Sequence, residues 1–591
     1  MEPQPEATVK TPALGLAAMA VLLAAAVVYL VRLGSAPLYL APDEVIIAND
    51  SLSLSRTGHT LDGTWFPLYV LVTVSRNWFM PAIYYVSAAF LRVLPFEEWA
   101  IRLPTALIGL LTIALSIVVA RKAIGERLAT VVAGLMLACA PAFFFLSRYA
   151  LDYTYPLPLI LAWLYCLLTA FEQTLATRWF FLAGLCLGLG WYTYISSMIM
   201  MPVYALITVV AMRARQRSWR EMAVFVAAFI IPLTFFAVWA SQHPEAFQQT
   251  AARYNFIAPK EQATAGGILS SFDFIAMFNR YRNFFGVEFL FRLGDVYLPF
   301  STRTTGIFVP AAGILLVIGA VVALRRRTIA DTLVLMGFLT APLAASILVE
   351  EGAIRRAGAL LIFGALLMAI GAARLDTIAR IPFFRILMSF GGGVALAVGL
   401  GYLSYTIAMQ GRMSETATRV TVIGVVALAM AALSSRVRHG RVLVLVNALV
   451  IVMQFGIVVR DYHGEYVARL SPWLQGNIKG ALVQLIAASQ QRPELPIYFM
   501  TIRSGRGDWD LKNRYLPSYW RFYATKLGRE DLITSATFLM PDDPVESIPK
   551  GSLVLGNIED PHVRMLLATG STRLADIPEV DHPVFYTLLV K

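Results

Sequence analysis

The sequence predicts a polytopic α-helical membrane protein with about thirteen transmembrane helices, followed by a small extramembrane α/β or α+β domain. Three observations carry this reading. The 591 residues are 58% hydrophobic and only 15% charged, with a mean hydropathy of +0.66, whereas a soluble globular chain has about a quarter of its residues charged. Stretches such as "LGLAAMAVLLAAAVVYLV" and "GIFVPAAGILLVIGAVVAL" approach the ~20 apolar residues that cross a bilayer as a helix. The arginines gather in short clusters between apolar runs, which is how topology is written. The net charge of +12 therefore reads as topology and not as a nucleic-acid footprint. Cys139, Cys166 and Cys186 fall in apolar runs without metal-type spacing, so neither a disulfide framework nor a zinc site is expected.

The basic clusters are "ARKAIGER", "RARQRSWR", "RRR" at Arg325 to Arg327, "RLDTIARIPFFR" and "RVRHGR". Apolar runs near 12–33, 102–120, 128–146, 156–171, 179–196, 198–212, 221–240, 306–324, 330–349, 357–373, 386–408, 419–434 and 441–459 place every cluster inside when the N-terminus is inside. The first run lacks a small-residue cleavage site and reads as a retained helix. The segment "FMPAIYYVSAAFLRVLP" (79–95) is short and carries Arg92, and counting it as a crossing would reverse the later clusters. It reads as an interfacial helix within a first external loop of 34–101. Residues 241–305 form a second external loop. The membrane domain then spans 1–460, and 461–591 forms the external domain, where short strand-like runs such as "PIYFM", "GSLVLG" and "VFYTLLV" alternate with Pro, Gly and Asp. The chain ends outside.

The polar residues near helix ends concentrate on that external side. Asp43 and Glu44 follow the first helix. Arg102 opens the second, with Pro104 in its first turn. Arg148, Tyr149 and Asp152 lie in the loop after the third. Arg292, Asp295 and Arg303 precede the eighth, and Glu350, Glu351, Arg355 and Arg356 lie between the ninth and tenth. Each has an ordinary explanation: snorkelling at a helix end for Arg102, Arg355 and Arg356, a structural ion pair for Arg148 with Asp152, a turn cap for Asp295, and a first-turn carboxylate for Asp43 and Glu44. Those explanations account less well for their sharing one face. Arginines there suit a lipid-linked phosphate, and a neighbouring carboxylate suits a general base.

The order of motifs "PDEVIIANDSLSLSRTGH", "AIRLPTALIGLLTIAL", "LACAPAFFFLSRYALDYTYPLPL", "FLAGLCLGLGWYTYISSMIMMPVY", "FRLGDVYLPF" and "IRRAGALLIFGALL" resembles the membrane-embedded GT-C glycosyltransferases that use polyprenyl-phosphate sugars. These include the dolichyl-phosphate-mannose protein mannosyltransferases and the bacterial enzymes that add aminoarabinose to lipid A. The resemblance covers about 12–375. It implies that Asp43 is the catalytic base, that Glu44 is its acidic neighbour and that Asp152 fills a second acidic position. Arg102 and Arg148 map to candidates for holding the donor phosphate or the acidic partner, with Tyr149, Arg292, Arg303, Arg355 and Arg356 as further substrate-binding candidates. "TGHTLDGTW" is less charged than its counterpart in many relatives, and "WYTYISS" lacks a lysine that some lipid A enzymes carry.

The implied reaction is transfer of a sugar from a polyprenyl-phosphate donor to a lipid, glycan or protein acceptor on the periplasmic side of an inner membrane. It needs no cofactor, although Mg²⁺ or Mn²⁺ is compatible with Asp43, Glu44 and Asp152. Zinc has little support from six scattered histidines. A transporter or flippase and a non-catalytic binding relative are the rival readings. The one-sided charge and the lack of two related halves weigh against transport.

Overall fold

The computed structural model describes residues 13–72, 77–174, 176–246, 274–347, 352–379, 440–474, 476–500, 509–539, 543–558, 560–580 and 586–591, with a few isolated positions besides. Its helices, in chain order, begin with α1 (Ala13–Leu30), α2 (Pro42–Thr57), α3 (Pro81–Leu91), α4 (Glu98–Ile124), α5 (Arg127–Ala138) and α6 (Pro141–Leu146). They continue as α7 (Pro156–Glu172), α8 (Thr177–Gly190), α9 (Ser197–Ala214), α10 (Trp219–Gln242), α11 (Phe274–Asn283), α12 (Ala312–Arg326) and α13 (Ile329–Thr340). After the short α14 (Leu343–Ile347) come α15 (Ala359–Ala379), α16 (Gly440–His463) and α17 (Tyr466–Leu470).

Among the described residues six helical stretches are long and apolar enough to cross a membrane: Glu98–Ile124, Asp152–Glu172, Ser197–Ala214, Trp219–Gln242, Ile329–Ile347 and Val442–His463. Shorter apolar helices, including Gly15–Leu30, Arg127–Ala138, Thr177–Gly190 and Ala359–Leu375, pack among them. The expected runs 386–408 and 419–434 lie almost wholly outside the described residues. The run at 128–146 is not one helix. Pro141 lacks an N–H and disfavours helical geometry at Ala140, so α5 stops and α6 restarts at the proline. At 11 residues, α3 extends roughly 17 Å, well short of the ~30 Å hydrocarbon core. It packs on α2 and α4 instead.

At the centre is α15, whose residues from Leu360 to Ile370 are at most 1% exposed where apolar. A helix apolar on all sides belongs inside other helices, and α15 packs against α12, α5, α13 and α16. Its approach to α12 is set by glycines. A Cβ on Gly319 would lie 1.8 Å from the Leu367 carbonyl oxygen, and one on Gly371 would lie 2.2 Å from that of Leu315. Small residues of this kind let backbones meet in a bilayer, where there is no hydrophobic drive between helices.

The tail carries α18 (Ile478–Gln491), α19 (Trp509–Lys526) and α20 (Pro561–Ala568) around a five-stranded mixed sheet. A two-stranded antiparallel ribbon, β1 (Val70–Val72) with β2 (Asn77–Phe79), lies earlier in the chain. The tail strands are β3 (Ile497–Met500), β4 (Ala536–Leu539), β5 (Leu553–Asn557), β6 (Thr572–Ile577) and β7 (Tyr586–Val590), in the order β4-β3-β5-β7-β6. Strand β3 is parallel to β4 and β5, and β7 is antiparallel to β5 and β6. The parallel β3–β4 pair is joined through α19, since parallel strands need a crossover. The tail shares a core with the first loop: Val45, Ala48 and Leu52 of α2 cluster with Leu482, Tyr519, Tyr523 and Leu555.

The closeness of α12 and α15 gives a stability prediction. Gly319→Ala should force the helices apart at a cost of about 1–3 kcal/mol or more, read as a lowered melting temperature in detergent. An unchanged melting temperature would mean that the contact does not hold the bundle together.

Candidate active site

The first turn of α2 is built by Glu44. Pro42 occupies its first position, where a missing N–H costs nothing. The Glu44 carboxylate closes the turn by accepting the Ala41 N–H at 2.8 Å. It also accepts the Ala150 N–H at 2.8 Å, Arg102 Nε at 2.8 Å and Arg102 Nη2 at 3.0 Å. Four bonds fill the roughly four lone-pair sites of a carboxylate. Arg102 is equally committed: Nη1 donates to the Leu33 and Pro37 carbonyls at 3.1 and 2.8 Å, and Nη2 to that of Tyr39 at 2.9 Å. With the two bonds to Glu44, each of its five N–H groups has a partner. Both side chains are fully buried.

Arg148 does a related job one turn upstream. It donates to the carbonyls of Val28 (3.1 Å), Tyr29 (2.7 Å), Val31 (2.8 Å) and Ala36 (2.8 Å). Its guanidinium lies 5.3 and 5.4 Å from the ring centroids of Phe144 and Tyr462. These carbonyls end α1, so the cation sits at the negative end of a helix. The expected Arg148–Asp152 helical pair does not form. The helix stops at Leu146, and Asp152 opens a separate single turn, Asp152–Thr154. Tyr149 is buried in the core with its ring 5.6 Å from that of Phe300.

These placements bear on four of the candidate site residues. Glu44 is saturated and cannot take a proton or a metal without dismantling the turn. Arg102 has spent its donors on Glu44 and three carbonyls, and Arg148 has spent Nη1 and Nη2 on four carbonyls while its Nε is buried without a partner. Tyr149 has no exposed surface on which to meet a substrate.

Asp43 lies one residue before Glu44 and is half-buried. Its charge reaches Asp152, Tyr84, Tyr153, Tyr297 and Tyr519, which places these groups around it. The charge of Arg356 reaches Asp152 and opposes that of Asp43 there, and the charge of Arg355 does so at Tyr153 and Tyr297. Arg355 stands over the rings of Tyr297 and Phe300 at 5.5 and 5.8 Å, and Arg356 donates to Tyr194 Oη at 3.4 Å. Both arginines, with Tyr153, Tyr194 and Ser196, line a narrow cleft of about 20 Å³. The two arginines are held in register by Asp295, whose carboxylate accepts the Tyr297 and Ile354 N–H groups, each at 2.8 Å.

Two further expectations fall away from this cluster. Arg303 donates to the Asp295 carbonyl at 3.0 Å and clamps its own loop. Arg292 forms an exposed pair with Glu288. Glu350 and Glu351 lie outside the described residues. Tyr194 was within reach of sequence reasoning, since it falls in the "WYTYISS" motif, but nothing local marks it as an arginine partner.

The tail also holds this corner. Glu579 accepts Tyr39 Oη at 2.8 Å, Ser471 Oγ at 2.6 Å and the Asn477 N–H at 2.6 Å. Tyr519 Oη donates to the Leu40 carbonyl at 2.7 Å, and Asn49 Nδ2 to that of Ser518 at 2.9 Å. Glu98, at the start of α4, pairs with Lys479 at 2.7 Å and with Lys526. No sequence signal pointed to Glu579.

Comparison with known proteins follows this geometry. The dolichyl-phosphate-mannose-protein mannosyltransferase family matches residues 80–241. ArnT from Cupriavidus metallidurans, bound to undecaprenyl phosphate, superposes with a TM-score of 0.54 at 18% identity, covering 98% of each chain. The chain shares the fold of this ArnT. The same values hold for ArnT from Cupriavidus metallidurans in the apo state. The oligosaccharyltransferase AglB from Archaeoglobus fulgidus, in complex with an inhibitory peptide and a dolichol-phosphate, gives 0.45 at 12% identity, covering 92% of this chain and 69% of its own. No curated protein matches in sequence.

Two predictions follow from this site. Glu44→Gln should strand the buried Arg102 charge and cost about 3–5 kcal/mol of stability, measured by unfolding in detergent, and the double change with Arg102→Met should recover part of it. Asp50 of α2 accepts the Leu61 N–H at 2.9 Å. Burial, helped by the nearby Asp62 charge, lifts its carboxyl from 3.8 to about 6. A raised acid is protonated in the folded state before it is in the unfolded one, so its stabilisation is complete below about pH 4 and is lost as pH rises through 6. Asp50→Asn should flatten thermal stability between pH 4.5 and 7.5; a slope identical to the parent's would assign the pH dependence elsewhere.

Proposed function

We propose that the chain moves a sugar from a polyprenyl-phosphate donor to an acceptor hydroxyl or amine, with Asp43 as general base. The observation that carries this reading is the division of labour in α2. Glu44 is saturated by Arg102 and backbone, while the charge of Asp43, beside it, reaches Asp152 and Tyr297, the same groups that the charges of Arg356 and Arg355 reach. The acceptor oxygen or nitrogen attacks the anomeric carbon and gives its proton to Asp43. The bond from that carbon to the phosphate oxygen breaks, and its electron pair leaves with the polyprenyl phosphate. Arg355 and Arg356 stabilise the charge that grows on the phosphate, the kind of preorganised help that is often the largest single term. Asp152, between Asp43 and Arg356, holds the two halves of the site in register.

Glu44 being committed, Asp43 and Asp152 are the carboxylates available to Mg²⁺ or Mn²⁺, and among the described residues no three His, Cys, Asp or Glu side chains cluster as a metal cage. Such an ion would need water and phosphate oxygens to complete its shell and would supply charge neutralisation at the phosphate. No step above passes through it.

The proposed topology puts the N-terminus inside, thirteen crossings in the membrane and the 461–591 domain outside, so that the site faces the periplasm of an inner membrane. The arginine clusters support this orientation, and α4 joins the site at one end to Lys122 at the other. The acceptor is a lipid, glycan or protein.

The test is transfer from a panel of polyprenyl-phosphate sugars in liposomes. Asp43→Asn should lower turnover roughly 10²–10⁴-fold, the usual worth of a general base, with donor binding retained. Arg356→Gln should weaken donor binding. Undiminished transfer by Asp43→Asn would overturn the base assignment.

A further inference from the structure

The end of the bundle away from Asp43 carries a second polar cavity. Helix α4 begins beside Glu44 and Arg102 and runs 27 residues, roughly 40 Å, to Lys122. There the ends of α4, α7 and α9 meet the turn between α12 and α13 around a cleft of about 510 Å³, inside the roughly 300–1,000 Å³ range of small-molecule sites. Lys122, Arg215, Arg217 and Arg326 line it against a single lining carboxylate, Glu172.

We propose that this cleft binds a phosphate-bearing anion, such as the headgroup of an anionic lipid. Arg217 forms a fixed wall. It donates to the Ala170, Phe171 and Gln173 carbonyls at 2.8, 3.0 and 3.1 Å, closing the C-terminus of α7. Lys122 pairs with Glu172. Arg326 stands 3.6 Å from Asp331, too far for a hydrogen bond. The exposed Arg215 side chain has no hydrogen-bond or ion-pair partner among the described residues. Arg215 and Arg326, from chain segments more than 100 residues apart, thus share the cleft wall, Arg326 in a loose ion pair with Asp331 and Arg215 in none among the described residues. The first turn of α13 adds its N-terminal N–H groups, for Thr328, Ile329 and Ala330 line the same space. Thr328 caps that turn, its Oγ1 accepting the Asp331 N–H at 3.1 Å and donating to Asp331 Oδ2 at 2.7 Å.

Basic loops that only set topology need to be wet and near the membrane. They do not need to converge from three separate segments on a cavity. Basic pockets between helix ends on the positively charged side of a membrane protein bind anionic headgroups, and guanidinium pairs suit phosphate oxygens. Neither Arg215 nor Arg326 touches the Asp43 site, so occupancy here is separate from sugar transfer.

The test uses the purified full chain in neutral detergent, with native mass spectrometry counting bound molecules of phosphatidylglycerol, phosphatidylcholine or inorganic phosphate. The parent should retain phosphatidylglycerol. Arg215→Gln/Arg326→Gln should bind it roughly tenfold more weakly, as expected when two surface guanidinium groups are lost. Arg215→Lys/Arg326→Lys should keep most of the binding, and basal sugar transfer should not change in either variant. Inorganic phosphate that binds the parent, fails on the Gln variant and is not matched by phosphatidylglycerol would support the anion site with a soluble source. Equal retention of phosphatidylglycerol by parent and Gln variant, or retention of phosphatidylcholine as good as phosphatidylglycerol, would overturn the proposal. Should the double variant fail to fold, Arg215→Gln alone carries the same comparison, because Arg215 bonds to nothing whose loss would unfold the chain.

Discussion

The buried Arg102–Glu44 pair is the constraint on which the active corner depends. An ion pair in a low-dielectric interior carries a desolvation penalty of several kcal/mol per charge, and Coulomb attraction alone often fails to offset it. Here the difference is made up by hydrogen bonds. Arg102 satisfies the Leu33, Pro37 and Tyr39 carbonyls, and Glu44 satisfies the Ala41 and Ala150 N–H groups. Each of those five backbone groups would otherwise be a buried orphan at about 1–3 kcal/mol. The pair therefore organises the segment between α1 and α2 and ties it to the turn after α6. A phosphate could recruit Arg102 only by breaking those bonds. That is why an arginine at the right place in the sequence is structural.

The same logic separates two adjacent carboxylates. Asp43 and Glu44 are equivalent as letters, and both were candidates for catalysis. Helix geometry divides them: the third residue of α2 is the one whose side chain can reach back to the Ala41 N–H, and that position is glutamate, long enough to meet Arg102 as well. Asp43, one position earlier, is turned by about 100° around the helix axis, and its charge reaches Asp152 and the tyrosines. The identity of the base is thus a consequence of register within one helical turn.

Much of the membrane part was legible because hydropathy reports burial in lipid directly. The helices from α7 to α10 fall close to their apolar runs, and the short α3 could be read from Pro81, Arg92 and its length. What could not be read was where arginine donors go. Sequence shows a cation near a helix end, but whether it meets phosphate or carbonyl depends on the path of a segment elsewhere, as with Arg148 and the last turn of α1. The break at Pro141 was visible in the letters, yet a continuous apolar run concealed it. Glu579 illustrates the limit: it bonds Tyr39 across 540 positions, and no local pattern encodes that distance.

The tail's position alters how its role should be understood. Residues 36–44 are held on one side by Arg148 and Arg102 and on the other by Glu579 and Tyr519. Tyr39 and Leu40 are the only two positions in that stretch that the tail touches through these bonds, and they lie four and three residues before Asp43. Misplacement of a reacting group by about 1 Å can cost roughly 10²-fold in rate. A domain that bonds the backbone beside the base is therefore part of the frame that sets the base's position. An acceptor bound to the tail would stand against the same frame, so that recognition and chemistry share their supports without sharing residues.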